Sequence, residues 1–273
     1  MKFSQNLYSS ISADDLRFLL GHIDLFNEEI VNFSDWLNEI DQKPFLENLS
    51  SLSWAHLYEK SFNESLNDFF IDSKLTEERE KISASDNKIR ATLSFQQNLD
   101  QNLDKVSSSL PEDQQLNYAI AMITYGMVMM KNARSLMIYG LYLNDLISLA
   151  KNASSLKKRD EALFNAIRLD ASVVGCPTAL ARISKATLLN DSIFFKKLKN
   201  AITGKLGELD DRNYQKIRFI LQVLHESGGI GLSDKVLKKL FVEQLNLYSD
   251  TQFTAEKNLG EFTRNFKKKK STI

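Results

Sequence analysis

The chain predicts an all-α fold, an irregular helical bundle around a long central helix, and three observations carry the prediction. Only 3 prolines and 10 glycines occur in 273 residues, which leaves little turn chemistry for hairpins. Few runs alternate at period two, whereas apolar residues recur at spacings of three and four. The least charged stretch carries small residues at heptad spacing: Ala119, Gly126, Ala133 and Gly140. Asn117, Thr124 and Lys131 lie two positions earlier in successive repeats, about 200° around a helix, so a polar stripe opposes a groove of missing side chains. Heptad-spaced small residues let a second helix backbone approach, which makes residues 111–152 the expected packing axis.

The elements follow in chain order. Ser12 with Asp15 forms a capping box that opens Ala13–Leu20. Ile23, Phe26, Ile30, Phe33, Trp36, Leu37 and Ile40 make an apolar stripe that stops near Pro44. A second stripe runs through Leu52, Leu57, Tyr58, Phe62, Leu66, Phe69 and Phe70. Thr76–Val106 is polar with sparse apolar positions and reads as one long solvated helix. Ser107–Leu110 is the clearest break. Pro111 suits the first turn of the central helix, with Glu112 and Asp113 at its positive end. A hairpin that folds residues 76–107 antiparallel onto 111–152 is the simplest way to fill the groove.

Beyond a second joint at Ala153–Ser155, shorter helices are punctuated more clearly. Asp160–Leu169 comes first, and Pro177 forbids a helix through Cys176, leaving Thr178 to cap Ala179–Leu189. Asp191 caps the helix that ends before Gly204, Asp210 or Asp211 opens Arg212–Glu226, and Ser233 caps Asp234–Leu247. Thr254 begins a last helix that dissolves into Lys267–Lys270. The regions are an acidic 1–110, the central helix 111–152 and a basic 157–273, arranged as separate regions or as one continuous domain.

The chain has no net charge, but residues 1–110 carry 19 Asp and Glu against 10 Lys and Arg, and residues 111–273 carry 16 against 25. The asymmetry draws the two halves together on folding or marks the basic half as a surface for an acidic partner. A single cysteine, Cys176, excludes an internal disulfide framework and fits a reducing compartment. The first residues lack the apolar stretch of a secretory signal. The most apolar segment, Tyr118–Met130, spans 13 residues, too few to cross a bilayer, so a cytoplasmic protein without a membrane segment is expected.

Candidate sites are few. His22, His56 and His225 form no metal-ligand pair, and no metal or cofactor is implied. Gly204–Gly207 and Gly228–Gly231 lack the strands that phosphate or nucleic-acid loops require and read as helix ends. Arg218 and His225 are two helical turns apart and share a face, where a histidine can exchange protons and an arginine can hold phosphate. The run from Arg218 to His225 is similar to the longest form of the Arg-x4-6-His motif of HEPN ribonucleases. Phe219 stands where that motif usually has Asn, Asp or His. Residues 179–189 and 192–202 read as two helices joined by a tight turn, with Arg182, Lys185, Lys196, Lys197 and Lys199 as candidate nucleic-acid contacts. Lys267–Lys270 adds positive charge. Ala162–Leu198 resembles a segment of uncharacterised bacterial proteins found on mobile or defence-related islands. That resemblance implies a bacterial cytosolic setting and assigns no activity.

The expected function is protein–protein interaction, as an accessory or regulatory part of a defence or mobile-element system. Ribonuclease activity at Arg218 and His225, and nucleic-acid binding by the basic half, are the alternatives; self-association is compatible with each.

Overall fold

A computed structural model describes residues 12–21, 55–86, 88–203, 212–226, 232–249 and 255–270. Every regular element among them is helical, with no strand. Two compact units divide the chain, one from residues 1–29, 66–125 and 211–268, the other from 30–65, 126–210 and 269–273. Each unit combines acidic first-half segments with basic second-half segments. The stripe from Ile23 to Ile40, Pro44, His22, Leu52 and the glycine clusters at 204–207 and 228–231 lie outside the described residues.

In the first unit, helix α1 (13–21) opens as its sequence requires: Ser12 Oγ accepts from the Asp15 amide, and Asp15 Oδ2 accepts from the Ser12 amide at 2.9 Å. Asp15 is only 3% exposed and also binds Arg90 at 2.7 Å, so one carboxylate caps a helix and ties a second element to it. Residues 76–107 do not form one long helix. They divide into α3 (Thr76–Ala84), α4 (Lys88–Gln97) and α5 (Leu99–Ser109), with α3 packed on α4 and α4 on α5. The α4–α5 break falls at Asn98, whose side-chain amide turns back to the Ser94 carbonyl at 2.8 Å.

The central helix is α6 (Glu112–Tyr139), and it begins where Pro111 places it. In the first unit it buries Tyr118, Met122 and Tyr125. Tyr118 donates to the Ser73 carbonyl, and Tyr125 donates to Asp72, holding the end of α2 (Phe62–Asp72). Helix α11 (Arg212–Glu226) has the predicted bounds and buries Ile217, Ile220, Leu221 and Leu224. Ser233 caps α12 as expected, but α12 covers only Asp234–Lys238; π-helical turns continue through Lys239–Gln244, and Asn246 at φ 50° ends the run before Leu247. Helix α13 (Ala255–Lys270) stays helical through the lysine run that was expected to dissolve.

In the second unit the central helix ends 13 residues earlier than the sequence reading placed it. Gly140 adopts φ 73° while its amide still bonds the Leu136 carbonyl, so it terminates α6 rather than continuing it. Asp145 then accepts from the Tyr142 amide and starts α7 (Leu143–Asn152). The stripe from Leu52 to Phe70 is likewise broken, into a 3-10 turn at Ala55–Glu59 and α2, because Ser61 and Glu64 form their own capping pair. Ser155 caps α8 (Leu156–Leu169), which packs closely on α7 and buries Leu163, Phe164 and Ile167.

The helix-packing groove has a different environment from the one expected. Ala119 and Gly126 are exposed, Ala133 is half-buried, and only Gly140 is buried. A methyl group added at Gly126 would meet nothing within 4 Å. Opposite signs follow for two glycines fourteen residues apart. In urea unfolding, Gly126→Ala should stabilise by about 0.5–1 kcal/mol, because a mid-helix glycine is lost without a clash. Gly140→Ala should destabilise by about 1–2 kcal/mol, the cost of a left-handed alanine.

Candidate functional site

Among the described residues of the second unit, the three most exposed large apolar side chains, Leu188, Leu189 and Ile193, gather at the turn of the hairpin of α9 (Pro177–Leu188) and α10 (Ser192–Thr203). Pro177 sits at the first helical position with Cys176 as its cap, so Thr178 is not the cap; its amide and hydroxyl bind Glu59 instead. At the other end Asn190 takes φ 51°, and the Asp191 amide bonds back to the Ala186 carbonyl at 2.9 Å. Asp191 Oδ1 then accepts from the Phe194 amide at 3.0 Å, which is the cap its position predicted. That bond, with Arg182 beside it, holds the Asp191 carboxyl below its ordinary range.

Ala179 and Ala186 from α9, and Phe194, Leu198 and Ala201 from α10, form the buried face. Phe194 lies 5.3 Å from the ring of Phe164 on α8. Arg182 locks the arrangement. Its guanidinium binds both oxygens of Asp160 at 2.7 and 2.9 Å, reaches Asp191 at 3.1 Å, and lies 4.1 Å from the centre of the Phe194 ring. A flat, five-donor cation can satisfy two carboxylates and an aromatic face at once; a lysine cannot.

The five residues expected to contact nucleic acid are thus not equivalent. Arg182 is drawn inward, its side chain 11% exposed and engaged by two aspartates. Lys185, Lys196, Lys197 and Lys199 are exposed. Among them stand apolar side chains that their sequence positions do not mark as a site: Leu188 is 83% exposed, Leu189 66% and Ile193 68%, with Leu180 and Ile202 farther from the turn. Their signal was a surplus. Leu188, Leu189 and Ile193 fall outside the alanine, phenylalanine and Leu198 positions that fill the buried face.

Arg218 and His225 do share one face of α11, and both meet aromatic residues of α13. The Arg218 guanidinium lies 5.6 Å from the Phe262 ring, and His225 sits edge-on to Phe266 at 6.4 Å. In the lysine run, Lys269 donates to the Tyr139 carbonyl, while Lys270 binds Asp145 at 3.1 Å and lies over Tyr142, its side chain 8% exposed. Lys270 therefore closes a local packing contact.

Two other polar clusters are internal. Tyr58, 1% exposed, donates to Asp170 at 2.5 Å, and Asp170 also accepts from the Ser172 amide. Burial, reinforced by the Asp170 charge, raises the Tyr58 hydroxyl well above its ordinary pKa. Burial also pushes the Cys176 thiol up to about 11. An open pocket of about 280 Å³ lies against α3, α4 and α5, and Glu78 and Lys81 on its rim pair with each other. Among the described residues no group of His, Cys, Asp and Glu could hold a metal ion, and no helix is long and apolar enough to cross a membrane. No known protein family, curated protein or solved structure matches the chain.

Two outcomes follow. Arg182→Lys should cost about 2 kcal/mol in thermal or urea unfolding, because it leaves carboxylate oxygens of a part-buried cluster without their fork-shaped partner. Cys176, neutral and buried at pH 8, should resist a disulfide reagent in the native protein and react at once in denaturant. Because its pKa is raised on folding, the stability it contributes should fall as pH rises from about 9 toward 11.

Proposed function

We propose that this protein acts by binding another protein, through the outer surface of the α9–α10 hairpin, rather than by catalysis. One observation carries the reading: three large apolar side chains, more than half exposed, crowd one turn. Scattered exposed leucines are ordinary, but a cluster on a preorganised element marks a contact surface. The Arg182 lock lowers the ordering cost of such a contact, since the hairpin is already in shape before a partner arrives. The setting that the 162–198 resemblance implies, a cytoplasmic accessory or regulatory component of a bacterial defence or mobile-element system, belongs to the same proposal.

The test compares tagged wild-type protein with a Leu188→Ser, Leu189→Ser, Ile193→Ser variant in capture from native-host cells, read by mass spectrometry. All three side chains point to solvent, so the variant should keep its helical circular dichroism and lose little stability, about 0.5 kcal/mol or less per site. The expected result is a protein retained by the wild type and depleted at least about tenfold by the variant, the equivalent of about 1.4 kcal/mol. Identical captured sets would remove the hairpin as a docking surface.

A further inference from the structure

We infer that the partner of the α9–α10 hairpin is an acidic, amphipathic protein segment; this rests on the protein-binding reading above and names its chemistry. The charge left for a partner is one-sided. Residues 177–203 hold five basic side chains and one carboxylate, Asp191. Asp191 is engaged by Arg182 and by the Phe194 amide, and Arg182 in turn by Asp160 and Asp191. What faces outward is four exposed lysines, Lys185, Lys196, Lys197 and Lys199, interleaved with apolar side chains. A complementary surface therefore pairs carboxylates with apolar anchors, and such charge complementarity speeds encounter and sets register.

Nucleic acid fits this surface poorly. The one arginine able to grip a phosphate bidentately is committed within the fold, and Phe194, which could have stacked on a base, is 2% exposed. Leucines at the turn would lie against phosphates and gain nothing. A lipid surface fits poorly for a geometric reason. The apolar residues at the turn are interrupted by Asn190, Asp191 and Ser192, so sinking Leu188, Leu189 and Ile193 into hydrocarbon would drag polar groups with them. Leu180 and Ile202 stand eight and nine residues along their helices from Leu188 and Ile193. At 1.5 Å per residue they are roughly 12–14 Å away, beyond the reach of an insertion of about 5–10 Å. A protein partner meets both conditions, because it can offer separate apolar pockets, polar partners for the turn, and carboxylates opposite the lysines. An amphipathic helix with acidic residues beside its apolar row is the simplest form.

The experiment is a selection from a displayed library of randomised helical peptides on the intact protein, counter-selected on the Leu188→Ser, Leu189→Ser, Ile193→Ser variant. The enriched peptides should carry several Asp or Glu for each Lys or Arg around an apolar face. The strongest, made synthetically, should bind at least about tenfold more weakly to that variant. Its affinity should also fall severalfold on Lys185→Gln, Lys196→Gln, Lys197→Gln, Lys199→Gln substitution, and again when salt rises from about 50 mM to about 500 mM. Hairpin-dependent peptides that are neutral or basic would overturn the acidic partner and leave protein binding standing. Absence of any hairpin-dependent peptide would overturn both readings. So would co-sedimentation with phosphatidylglycerol vesicles, or duplex DNA binding, that the triple serine variant abolishes.

Discussion

One guanidinium governs the part of this molecule most open to a partner. Arg182 joins α8 through Asp160, the turn through Asp191, and the hairpin core through the Phe194 ring. Each contact alone is modest at a partly exposed site. Their value lies in geometry: a planar cation fixed on three sides leaves α9 and α10 one relative arrangement. The outward display of Leu188, Leu189 and Ile193 depends on that arrangement, and so does the separation of one engaged, part-buried arginine from four exposed lysines.

A second constraint works inside the same unit. Asn144, 2% exposed, donates to the carbonyls of Leu57 and Lys60 at 3.0 and 2.6 Å, and its amide N–H donates to Asn132, itself fully buried, at 3.2 Å. The Leu57 carbonyl of the 3-10 turn, which also accepts from the Lys60 amide, and the Lys60 carbonyl just beyond it are thus held by one asparagine side chain. Polar groups buried this way specify a single arrangement, because any slip leaves a donor or acceptor unsatisfied at a cost of about 1–3 kcal/mol. Phe62 stacked on Tyr142 at 4.1 Å packs beside this network. The unit is thus joined by directional contacts as well as by apolar burial.

The local chemistry of helix ends was legible in the sequence, and the long-range use of side chains was not. Ser12, Asp191 and Ser233 act as caps where their positions say they must, and α11 keeps its predicted limits. Failures came where one residue type has two uses. Gly140 fits a small-residue heptad and a left-handed terminus equally well; only its neighbours' hydrogen bonds decide, and they decide for the terminus. Residues 76–107 carry a weak apolar pattern that admits one helix or three; the chain turns extended at Ser85, and Asn98 makes the second break by bonding backward. Arg182 resembled its neighbouring lysines as a charge. Its role became visible only once Asp160, 22 residues away, was folded against it. The exposed apolar turn was hidden for the opposite reason, since leucines in a helical chain are read first as core.

The account rests on the α9–α10 turn being ordered before any partner binds. Hydrogen–deuterium exchange on the unliganded wild-type protein, resolved at the amides of Asn190, Asp191 and Phe194, tests this most directly. These amides bond to the Thr187 carbonyl, the Ala186 carbonyl and the Asp191 carboxylate. The account predicts protection at the Asp191 and Phe194 amides comparable to that within α8, because the lock joins the turn to that helix. Exchange at the rate of an unstructured chain across residues 188–194, with α8 still protected, would contradict it.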